Sequence, residues 1–439
     1  MSRIVIYNTT VLTLDDEDTF YYPGTVEIVN DRIAGVYGGS PSAESLTDPT
    51  TTVIDGTDKL GFGDELPLKE YLEEVWYPSV RALNEERTFV AAMHSYCAAL
   101  KSGTTTVNDM YRFVGARVRA ADEIGIRATL GGEIALAEHG LDSLADNEAA
   151  FWAHNKQQRL SSSSDGRVRV WLGLEWMLTS DLALLQAVGR AKKALGTGLH
   201  LHLCESEGEV VETRACYGGR SPVQLAYEAG LLGPDTVAAH CVHLDDEDVQ
   251  LLAATGTSVS YDAGSNAKLG NGIARLQDLL AAGVNVGIGI DAFECENSPD
   301  MFAQMKIASL VQRALHRDAS LGRPHEILRM ATRNGAHALG IDAGVVREGA
   351  KADLIVLDLT HNHMFTPLLH DPARRKTMLE SHLVFGCNGS AVQHSIVDGK
   401  IVLRDFQILA IDEEDLRKQM DALFEDIARE MPSLVRKVN

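Results

Sequence analysis

The sequence predicts an α/β protein whose central part is a (β/α)8 barrel. Two observations lead to this prediction. First, the middle of the chain alternates apolar, strand-like stretches with helical stretches, at a spacing typical of parallel strands joined by helices. Second, the strand-like stretches are apolar on both faces, and a closed barrel is the commonest fold that buries so many strands of this kind.

Seven stretches of the middle part have the composition of buried strands. They are TTTVNDM, RATLGGEI, VRVWLGLEW, GLHLHLCE, TVAAHCVH, SVSYDAG and VNVGIGIDA. Helical patterns such as PVQLAYEAGLLG and DEDVQLLAATG lie between them and end at glycine. An eight-stranded barrel needs one more strand, and its place is before TTTVNDM, in the region of DGTDKLGFGDELPL.

Both ends of the chain are predicted to be rich in strands. Short β-branched runs joined by polar turns occur near the N-terminus and after Ala350: RIVIYNTTVLTL, TVEIVNDRIAGVYG, DLIVLDL, LVFGCN and HSIVDGKIVLRD. The pair Asp398-Gly399 predicts a two-residue hairpin turn. We therefore predict that residues 1–56 and 351–439 form one small β-sandwich domain, closed by the amphipathic helix EEDLRKQMDALFEDIAREM, and that residues 57–350 form the barrel.

Composition narrows the class of protein. A formal net charge of -22 repels polyanions, so we expect no nucleic-acid partner. No stretch approaches the roughly 20 apolar residues that cross a bilayer, and the N-terminus lacks the pattern of a secretion signal. We therefore expect a cytoplasmic protein without membrane contact, and a homo-oligomer, because symmetric dimers are the commonest soluble assembly. The cysteines lack the spacing of a zinc ribbon; they are Cys97, Cys204, Cys216, Cys241, Cys295 and Cys387.

Ligand-type side chains occur at the C-terminal ends of the predicted strands, where barrels of this type carry their chemistry. The fourth stretch contains His202, with Glu205 three residues later; the fifth contains His240, and the seventh ends near Asp291. Histidine nitrogen and aspartate oxygen suit zinc or ferrous iron, and a metal lowers the pKa of a water from about 16 toward about 7. Glu205 could then carry a proton to the leaving group, while His240 and Asp291 orient the nucleophile or accept its proton.

Each of these residues also has a purely structural interpretation. A histidine in an apolar strand is often a hydrogen-bonded core residue, and an aspartate after a strand is a common helix cap. His200 alternates with His202 and points to the same face of a strand, so only the spacing to Glu205 favours His202 as the ligand. Their joint occurrence at the ends of successive strands favours a catalytic site.

Six motifs extend the pattern over nearly the whole chain, from the N-terminal sheet to Asp405. They are SGTTTVNDM, GLHLHLCESEGEV, VAAHCVHLDDED, SNAKLGNGIARLQDLLAAGVNVGIGID, RMATRNGAHALGI and GVVREGAKADLIVLDL. With these motifs the chain resembles the amidohydrolase superfamily, in particular the branch of cytosine, guanine and S-adenosylhomocysteine deaminases and triazine chlorohydrolases.

The resemblance implies a site with one divalent metal, zinc or iron. His202 and Asp291 would be metal ligands, Glu205 the proton shuttle, and His240 the group that orients the attacking hydroxide. The resemblance also implies that GLEWMLTS faces the substrate, so that Glu175 and Trp176 contact the ring. An aromatic side chain packed over the mouth of the barrel is the structural alternative for Trp176.

The sequence departs from this family at two places. In the family the first barrel strand ends in His-x-His after a Pro-Gly turn and supplies two metal ligands, whereas here the first histidine is His94 and IDGTDKL runs directly into GFGDELPL. We favour the interpretation that the printed sequence lacks a segment that the functional protein has near Leu60, because a real deletion would leave two unpaired strand edges in the barrel. The second departure is Tyr261, Asp262 and Ala263, where relatives commonly have His-Asn-Pro.

Three functions remain open from the sequence. The resemblance implies a deaminase that replaces an exocyclic amine of a purine- or pterin-like ring with oxygen and releases ammonia. A triazine-type chlorohydrolase or aminohydrolase is the nearest alternative. The third, of another class, is a metal-poor and inactive ligand-binding scaffold, because His202 and Asp291 alone are fewer than the three protein ligands that catalytic zinc sites generally use.

Overall fold

The structure is a computed structural model that describes residues 3–12, 19–30, 32–42, 51–55, 68–160, 166–360 and 373–430. The chain divides into two compact units, Met1–Gly61 and Phe62–Asn439. Residues 56–67, where the sequence predicts the missing strand, lie outside the described residues. Within the described ranges, no helix is both long and apolar enough to cross a membrane.

The first unit contains a four-stranded sheet with the strand order β3-β2-β1-β4. Strands β1, β2 and β3 are antiparallel neighbours, and β4 is parallel to β1. On this sheet the Glu27 carboxylate accepts hydrogen bonds from Arg3 at 2.8 Å and Tyr37 at 2.6 Å. The strands that the sequence predicts near the N-terminus are therefore confirmed as β1 Arg3–Leu12, β2 Phe20–Val29 and β3 Arg32–Gly38. Strand β4, Thr51–Asp55, is a further strand that the sequence analysis does not predict.

The second unit contains a run of parallel strands, and each of the seven predicted stretches contributes to it. The stretch VRVWLGLEW is interrupted at Trp171: its first half, β7, pairs with β6, and its second half, β8, pairs with β9. The strands are β5 Thr106–Met110, β6 Arg127–Gly131, β7 Val168–Val170, β8 Leu172–Leu174, β9 Leu199–Leu203, β10 Thr236–His240, β11 Ser258–Tyr261 and β12 Val286–Ile288.

The helices of the second unit mostly alternate with these strands, as the sequence predicts. Their ends follow local chemistry: Asn84 caps one N-terminus, Ser221 and Gln224 form a capping box, and Gly256 ends the predicted helix DEDVQLLAAT with φ at 73°. The helices are α1 Leu68–Tyr71, α2 Tyr77–Arg81, α3 Glu85–Lys101, α4 Val114–Ile124, α5 Leu144–Leu160, α6 Leu182–Leu195, α7 Glu207–Cys216, α8 Pro222–Glu228, α9 Asp246–Thr255, α10 Ala263–Lys268, α11 Leu276–Ala281, α12 Phe293–Glu296, α13 Met301–His316, α14 Pro324–Arg329, α15 Gly335–Ala338, α16 Arg375–Phe385 and α17 Glu413–Glu430.

The strand registers determine which side chains face the interior. Asn108 pairs with Thr129 and Thr129 with Arg169, while Gly173 pairs with His200. Paired residues of parallel strands project to the same face, and successive residues alternate between faces. On β9 the leucines are fully buried under the helices, whereas His200 and His202 are partly exposed on the opposite, interior face.

Strands β5 and β12 are the edges of this run of strands. Each has one hydrogen-bonded neighbour among the described residues, and so do β7 and β8, because the run consists of the two sheets β5-β6-β7 and β12-β11-β10-β9-β8. All five residues of β5 are only partly buried, whereas every residue of β6 and β10 is buried. The barrel is therefore not seen to close within the described residues, and an eighth strand between β12 and β5 stays a prediction.

The C-terminal part forms a second four-stranded sheet with the order β13-β14-β15-β16. Asp398 and Gly399 both have positive φ, 51° and 75°, as a type I′ hairpin turn requires, so the predicted hairpin is confirmed. The closing helix is also confirmed as α17. A single sandwich domain built from both termini stays a prediction. The strands of the C-terminal sheet are β13 Leu354–Leu357, β14 Val392–Val397, β15 Lys400–Arg404 and β16 Gln407–Ile408.

One predicted terminal strand is wrong. The run LVFGCN is not a strand, because its first three residues form the end of helix α16. The preceding residues RKTMLESH are mostly compatible with a helix, and Val384 is fully buried on its inner side. Three apolar residues in succession satisfy either periodicity, and the longer helical context decides.

A buried ion pair joins the strand run to the C-terminal sheet. The Arg127 guanidinium donates to Asp353 at 2.6 and 3.0 Å and to Asp398 at 2.7 Å. Arg127 and Asp353 side chains are only 2% and 3% exposed, so neither charge has water as an alternative partner. Removal of one partner from such a pair leaves the other charge buried and uncompensated.

We predict that Arg127→Met lowers the free energy of unfolding by about 3–5 kcal/mol, because Asp353 loses its counter-charge. The control is Arg119→Met, which removes an exposed ion pair with Glu86 at 3.2 Å and should cost less than about 1 kcal/mol. Urea unfolding followed by circular dichroism measures both. Equal losses for the two variants would contradict the role of the buried pair.

Candidate active site

Three of the predicted residues meet at the C-terminal ends of the strands. His202 lies on β9, His240 ends β10, and Asp291 follows β12 by three residues. One ligand atom from each lies within 4.8 Å of the other two. The imidazole rings of His202 and His240 stack at 5.3 Å between centroids. Residues that are far apart in the chain thus form one cluster, as the sequence predicts.

The backbone turns sharply at each of these strand ends. Cys204, His240, Cys241 and Asp291 have φ values of 51°, 70°, 49° and 64°, a region that residues other than glycine seldom adopt. Register pairs His240 with Leu203, which faces outward, yet the His240 ring stacks on the inward-facing His202. The left-handed backbone is what turns His240 inward. Such conformations cost of order 1–3 kcal/mol each and concentrate at functional sites.

His202 is held in the form that a metal requires. Its Nδ1 donates a hydrogen bond to the backbone carbonyl of Glu175, and since a carbonyl can only accept, Nδ1 carries the proton. Burial and the neighbouring His240 lower the pKa of His202 to about 4, so the ring is neutral at pH 7. The lone pair of Nε2 is therefore available, in the arrangement typical of metal-binding histidines.

Asp291 is held as an anion. One carboxylate oxygen accepts from the Ser265 hydroxyl and the other from the Ala292 N–H at 2.7 Å. Burial acts to raise the pKa of Asp291, but the charge of His240, the hydrogen bond from Ser265 and His202 together lower it below the usual value. A buried carboxylate beside a neutral imidazole is a donor pair that fits a divalent cation.

Glu205 is positioned by side chains on both sides of it. Its Oε1 accepts from Asn271 at 3.0 Å, and its Oε2 lies 3.7 Å from Nε2 of His240. The buried Glu209 carboxylate fixes the turn by accepting the backbone N–H groups of Cys204 at 3.0 Å and Glu205 at 2.8 Å. Burial raises the pKa of Glu205 to about 8, so this group can gain and lose a proton near neutral pH.

His240 is the cationic partner of these carboxylates. Its Nδ1 donates to Asn266 at 2.9 Å, and Asp262 lies 3.9 Å from the same nitrogen while accepting the backbone N–H of His240 at 3.3 Å. Burial acts to lower the pKa of His240, but Glu205, Asp291 and Asp262 raise it to about 9. With Nδ1 on Asn266, the Nε2–H of the charged ring is directed toward Glu205.

The residues that replace His-Asn-Pro of the relatives have distinct places. Asp262 supports His240, as described above. The Tyr261 hydroxyl accepts from Gln312 at 3.0 Å in the core, and Ala263 begins α10. Gly289 has no side chain where Asp262 needs space, because a Cβ there would lie 2.0 Å from Asp262 Oδ1. The departure therefore leaves a carboxylate beside His240.

Glu175 and Trp176, the predicted substrate-contacting residues, lie at the mouth of the strand run and are buried. The Glu175 carboxylate accepts from Tyr77 at 3.1 Å and from Thr179 at 2.7 Å, and burial raises its pKa to about 7. Trp176 belongs to an apolar cluster with residues of the 68–81 helical segment, including Trp76. Trp176 thus packs over the mouth, and contact of either residue with substrate stays a prediction.

Several supporting residues were not predicted from the sequence. Ser265, Asn266 and Asn271 hold Asp291, His240 and Glu205 respectively. All three belong to the motif SNAKLGN, so the signal was a polar cluster directly after a predicted strand. Glu209 and Glu133 were also missed. Their roles depend on contacts and burial that no local pattern reveals.

The comparisons with known proteins come from sequence and from structure. Residues 54–402 match the profile of the amidohydrolase family. The 5'-deoxyadenosine deaminase of Methanosarcina barkeri is 31% identical over 461 aligned positions that cover 100% of both chains. The alignment is longer than this chain of 439 residues, so part of that relative has no counterpart here. The 5-methylthioadenosine/S-adenosylhomocysteine deaminase of Moorella thermoacetica is 32% identical over 96% of this chain and 98% of its own.

Solved structures share the fold. An adenosine deaminase from Xanthomonas campestris with bound zinc has a TM-score of 0.74 at 23% identity and covers 98% of this chain and 99% of its own. The zinc complex of atrazine chlorohydrolase from Arthrobacter aurescens has a TM-score of 0.72 at 20% identity, over 96% and 99%. The family profile covers most of the chain, and relatives above 30% identity extend over its whole length. The chain therefore belongs to the amidohydrolase family, a family of hydrolases.

Proposed function

We propose that this protein is a metal-dependent aminohydrolase that replaces an exocyclic amine of a purine-like ring with oxygen and releases ammonia. The observation that carries the proposal is the Glu205 carboxyl group, buried 3.7 Å from His240 and beside the pair His202 and Asp291. The names of the relatives, which are deaminases of adenine nucleosides, support a purine ring over a pterin.

The residues present fit a divalent metal. His202 through Nε2 and Asp291 through its carboxylate would hold one ion, zinc or iron. Both groups are partly buried, and each is already in the protonation state of a ligand. When bound, the metal supplies a water whose pKa falls toward about 7.

The proton chemistry belongs to the side chains around this pair. Glu205 takes a proton from the attacking water and passes it to the departing amine, which leaves as ammonia while the ring carbon keeps the oxygen. His240 donates from Nε2 and orients the attacking oxygen, held in place by Asn266 and Asp262. Asp291, besides serving as a ligand, would be an acceptor for a proton of the attacking water.

The shuttle favours deamination over dechlorination. An amine must be protonated before it leaves a ring carbon, whereas chloride leaves without a proton. A buried Glu205 with a pKa of about 8 can take the proton of the attacking water in either reaction, but only deamination also uses that proton on the leaving group. Hydrolysis of a chlorinated triazine is therefore the second candidate.

The inactive scaffold differs from both enzymes in metal binding. His202, Asp291 and the nearby His240 are the three ligand-type groups that meet in the described residues. A chain without the first-strand histidines would hold metal weakly and turn over nothing.

We predict that Glu205→Gln lowers turnover by roughly 10²–10⁴-fold while metal content is unchanged, because an amide keeps the size of the group but cannot carry the proton. The assay is ammonia release from a panel of aminopurines, pterins, cytosines and triazines, with chloride release measured in parallel. Glu207→Gln, at an exposed acid two residues away, is the matched control and should keep full activity.

Two outcomes of this assay contradict the proposal. Full turnover by Glu205→Gln with metal bound would remove the assigned shuttle. Release of neither ammonia nor chloride by zinc-loaded protein that carries an intact first strand would remove both enzymatic functions.

We predict that Asp291→Asn retains less metal than the parent chain after dialysis, because an amide oxygen is a poorer ligand for a divalent cation than a carboxylate. Metal per chain is measured by inductively coupled plasma mass spectrometry, on the chain as printed and on a variant with the first-strand segment of a relative inserted after Leu60. The inserted variant should hold about one metal per chain. One tightly held metal in the chain as printed would contradict the inactive scaffold.

A further inference from the structure

A second buried acid, Glu133, lies beside the candidate site and has no part in the chemistry described above. Glu133 follows β6 by two residues, and by alternation it shares the interior face with Thr129. The parallel hydrogen-bond pattern continues beyond the end of β6, because the Ile134 N–H donates to the Gly173 carbonyl and the Glu175 N–H donates to the Ile134 carbonyl, both at 3.1 Å. The Glu133 side chain is therefore directed into the interior, next to Glu175.

The Glu133 carboxyl group lacks the partners that a buried acid normally has. The residue is 1% exposed, and its Oε2 has no hydrogen-bond partner among the described residues. Its backbone is fixed at both polar atoms by Asp142, whose side chain accepts at 3.3 Å and whose N–H donates at 3.1 Å. The backbone of Glu133 is thus fixed, and its buried side chain keeps an unused acceptor, which is costly unless a ligand supplies a donor.

The nearby arginines do not neutralise Glu133. Arg117 donates to backbone carbonyls and pairs with Asp109 at 3.2 Å, and Arg112 pairs with Asp142 at 3.5 Å. Burial, Glu175 and Asp142 raise the pKa of Glu133 well above its usual value, and the two arginines only partly oppose this. A hydrogen-bond donor from outside the protein would favour the ionised carboxylate.

Glu133 is connected to the catalytic residues through Tyr77. The Tyr77 hydroxyl donates to Glu175 at 3.1 Å. Burial raises the pKa of this hydroxyl, and the charges of Glu175, Glu133 and Glu205 raise it further, so all three carboxyl groups act on one phenol. Glu133 therefore belongs to the same group of buried acids around Tyr77 as Glu175 and Glu205.

We propose that Glu133 is a specificity-determining residue that accepts a hydrogen bond from an amine or hydroxyl group of the substrate, away from the amine that leaves. The ligand class is a nitrogen heterocycle that carries a donor substituent and no negative charge. Glu133 binds the donor, whereas an anionic substituent at the same place would oppose the ionisation of both Glu133 and Glu175. The inference rests on the proposed function for the identity of the ring, and its test below does not require turnover.

Binding is measured by titration calorimetry in zinc-supplemented protein with Glu205→Gln, so that no probe is consumed. Two pairs of probes differ only in donors: adenosine against 2',3'-dideoxyadenosine, and 2,6-diaminopurine against adenine. We expect at least one donor-bearing probe to bind about 10–100-fold tighter than its partner, as one hydrogen bond to a buried charged group implies. Adenosine 5'-monophosphate, the anionic probe, should bind more weakly than adenosine.

Substitution of Glu133 then identifies the acceptor. Glu133→Leu should abolish the difference between paired probes and leave binding of the donor-free probe unchanged. Glu133→Gln, which keeps the shape and one acceptor oxygen, should retain part of the difference and bind adenosine 5'-monophosphate better than the parent. Glu138→Gln, at an exposed acid five residues away, is the control and should bind as the parent does. Circular dichroism verifies that each variant is folded.

The outcomes separate this inference from the proposed function. Equal binding of both probes in each pair, a difference that survives Glu133→Leu, or binding of none of the probes would overturn the role of Glu133. Discrimination that depends on Glu133, in a protein that has Glu205 and the first-strand segment and still releases no ammonia, would remove the deaminase and leave the donor-binding residue in place.

Discussion

The registers of the parallel strands from β5 to β12 are the constraint on which the candidate site depends. They fix the interior face to every second residue, so that the histidines of β9 and the acid that follows β6 point the same way. The exception is His240, which register would turn outward and which a left-handed backbone turns inward. The site therefore requires regular strand pairing together with a left-handed backbone conformation at the end of β10.

Burial of several carboxyl groups in one interior is the second physical feature, and neighbouring charges and hydrogen bonds together decide the protonation state of each. Asp291 accepts two donors and lies beside His240, and its pKa falls below the usual value. Glu205 accepts one side-chain donor, and its pKa rises to about 8. Oε2 of Glu133 has none among the described residues, and burial raises the pKa of that group well above its usual value. Desolvation acts to raise the pKa of all three groups, and the nearby charges and hydrogen bonds of each group offset it to a different extent.

The sequence predicts the strands and the central cluster because both follow from local patterns. Apolar runs of strand length locate β5 to β12, and the ends of those runs locate His202, His240 and Asp291. The choice between His200 and His202 could not be made from alternation, since both face inward. The Nδ1 contact of His202 with the Glu175 carbonyl, which lies on another strand end, favours His202 as the ligand.

The supporting residues could not be predicted because their roles are contacts between distant segments. Asn271 supports Glu205 from 66 residues away, and Asn266 supports His240 from 26 residues away. Positive φ at residues such as Cys204 is likewise not encoded by composition, because cysteine has no preference for that region. The wrong prediction at LVFGCN arose within a local segment, because an apolar run of three residues is too short to distinguish a helix from a strand.

The most direct test of the central claim is the position of a bound metal. Anomalous diffraction at the zinc absorption edge, from crystals of the protein with its first-strand segment present, locates the ion without assumptions about activity. We expect a single peak at about 2.0–2.2 Å from Nε2 of His202 and from a carboxylate oxygen of Asp291, with Nδ1 of His202 still hydrogen-bonded to the Glu175 carbonyl. A peak on the Nδ1 side, or a metal bound elsewhere with this cluster empty, would contradict it.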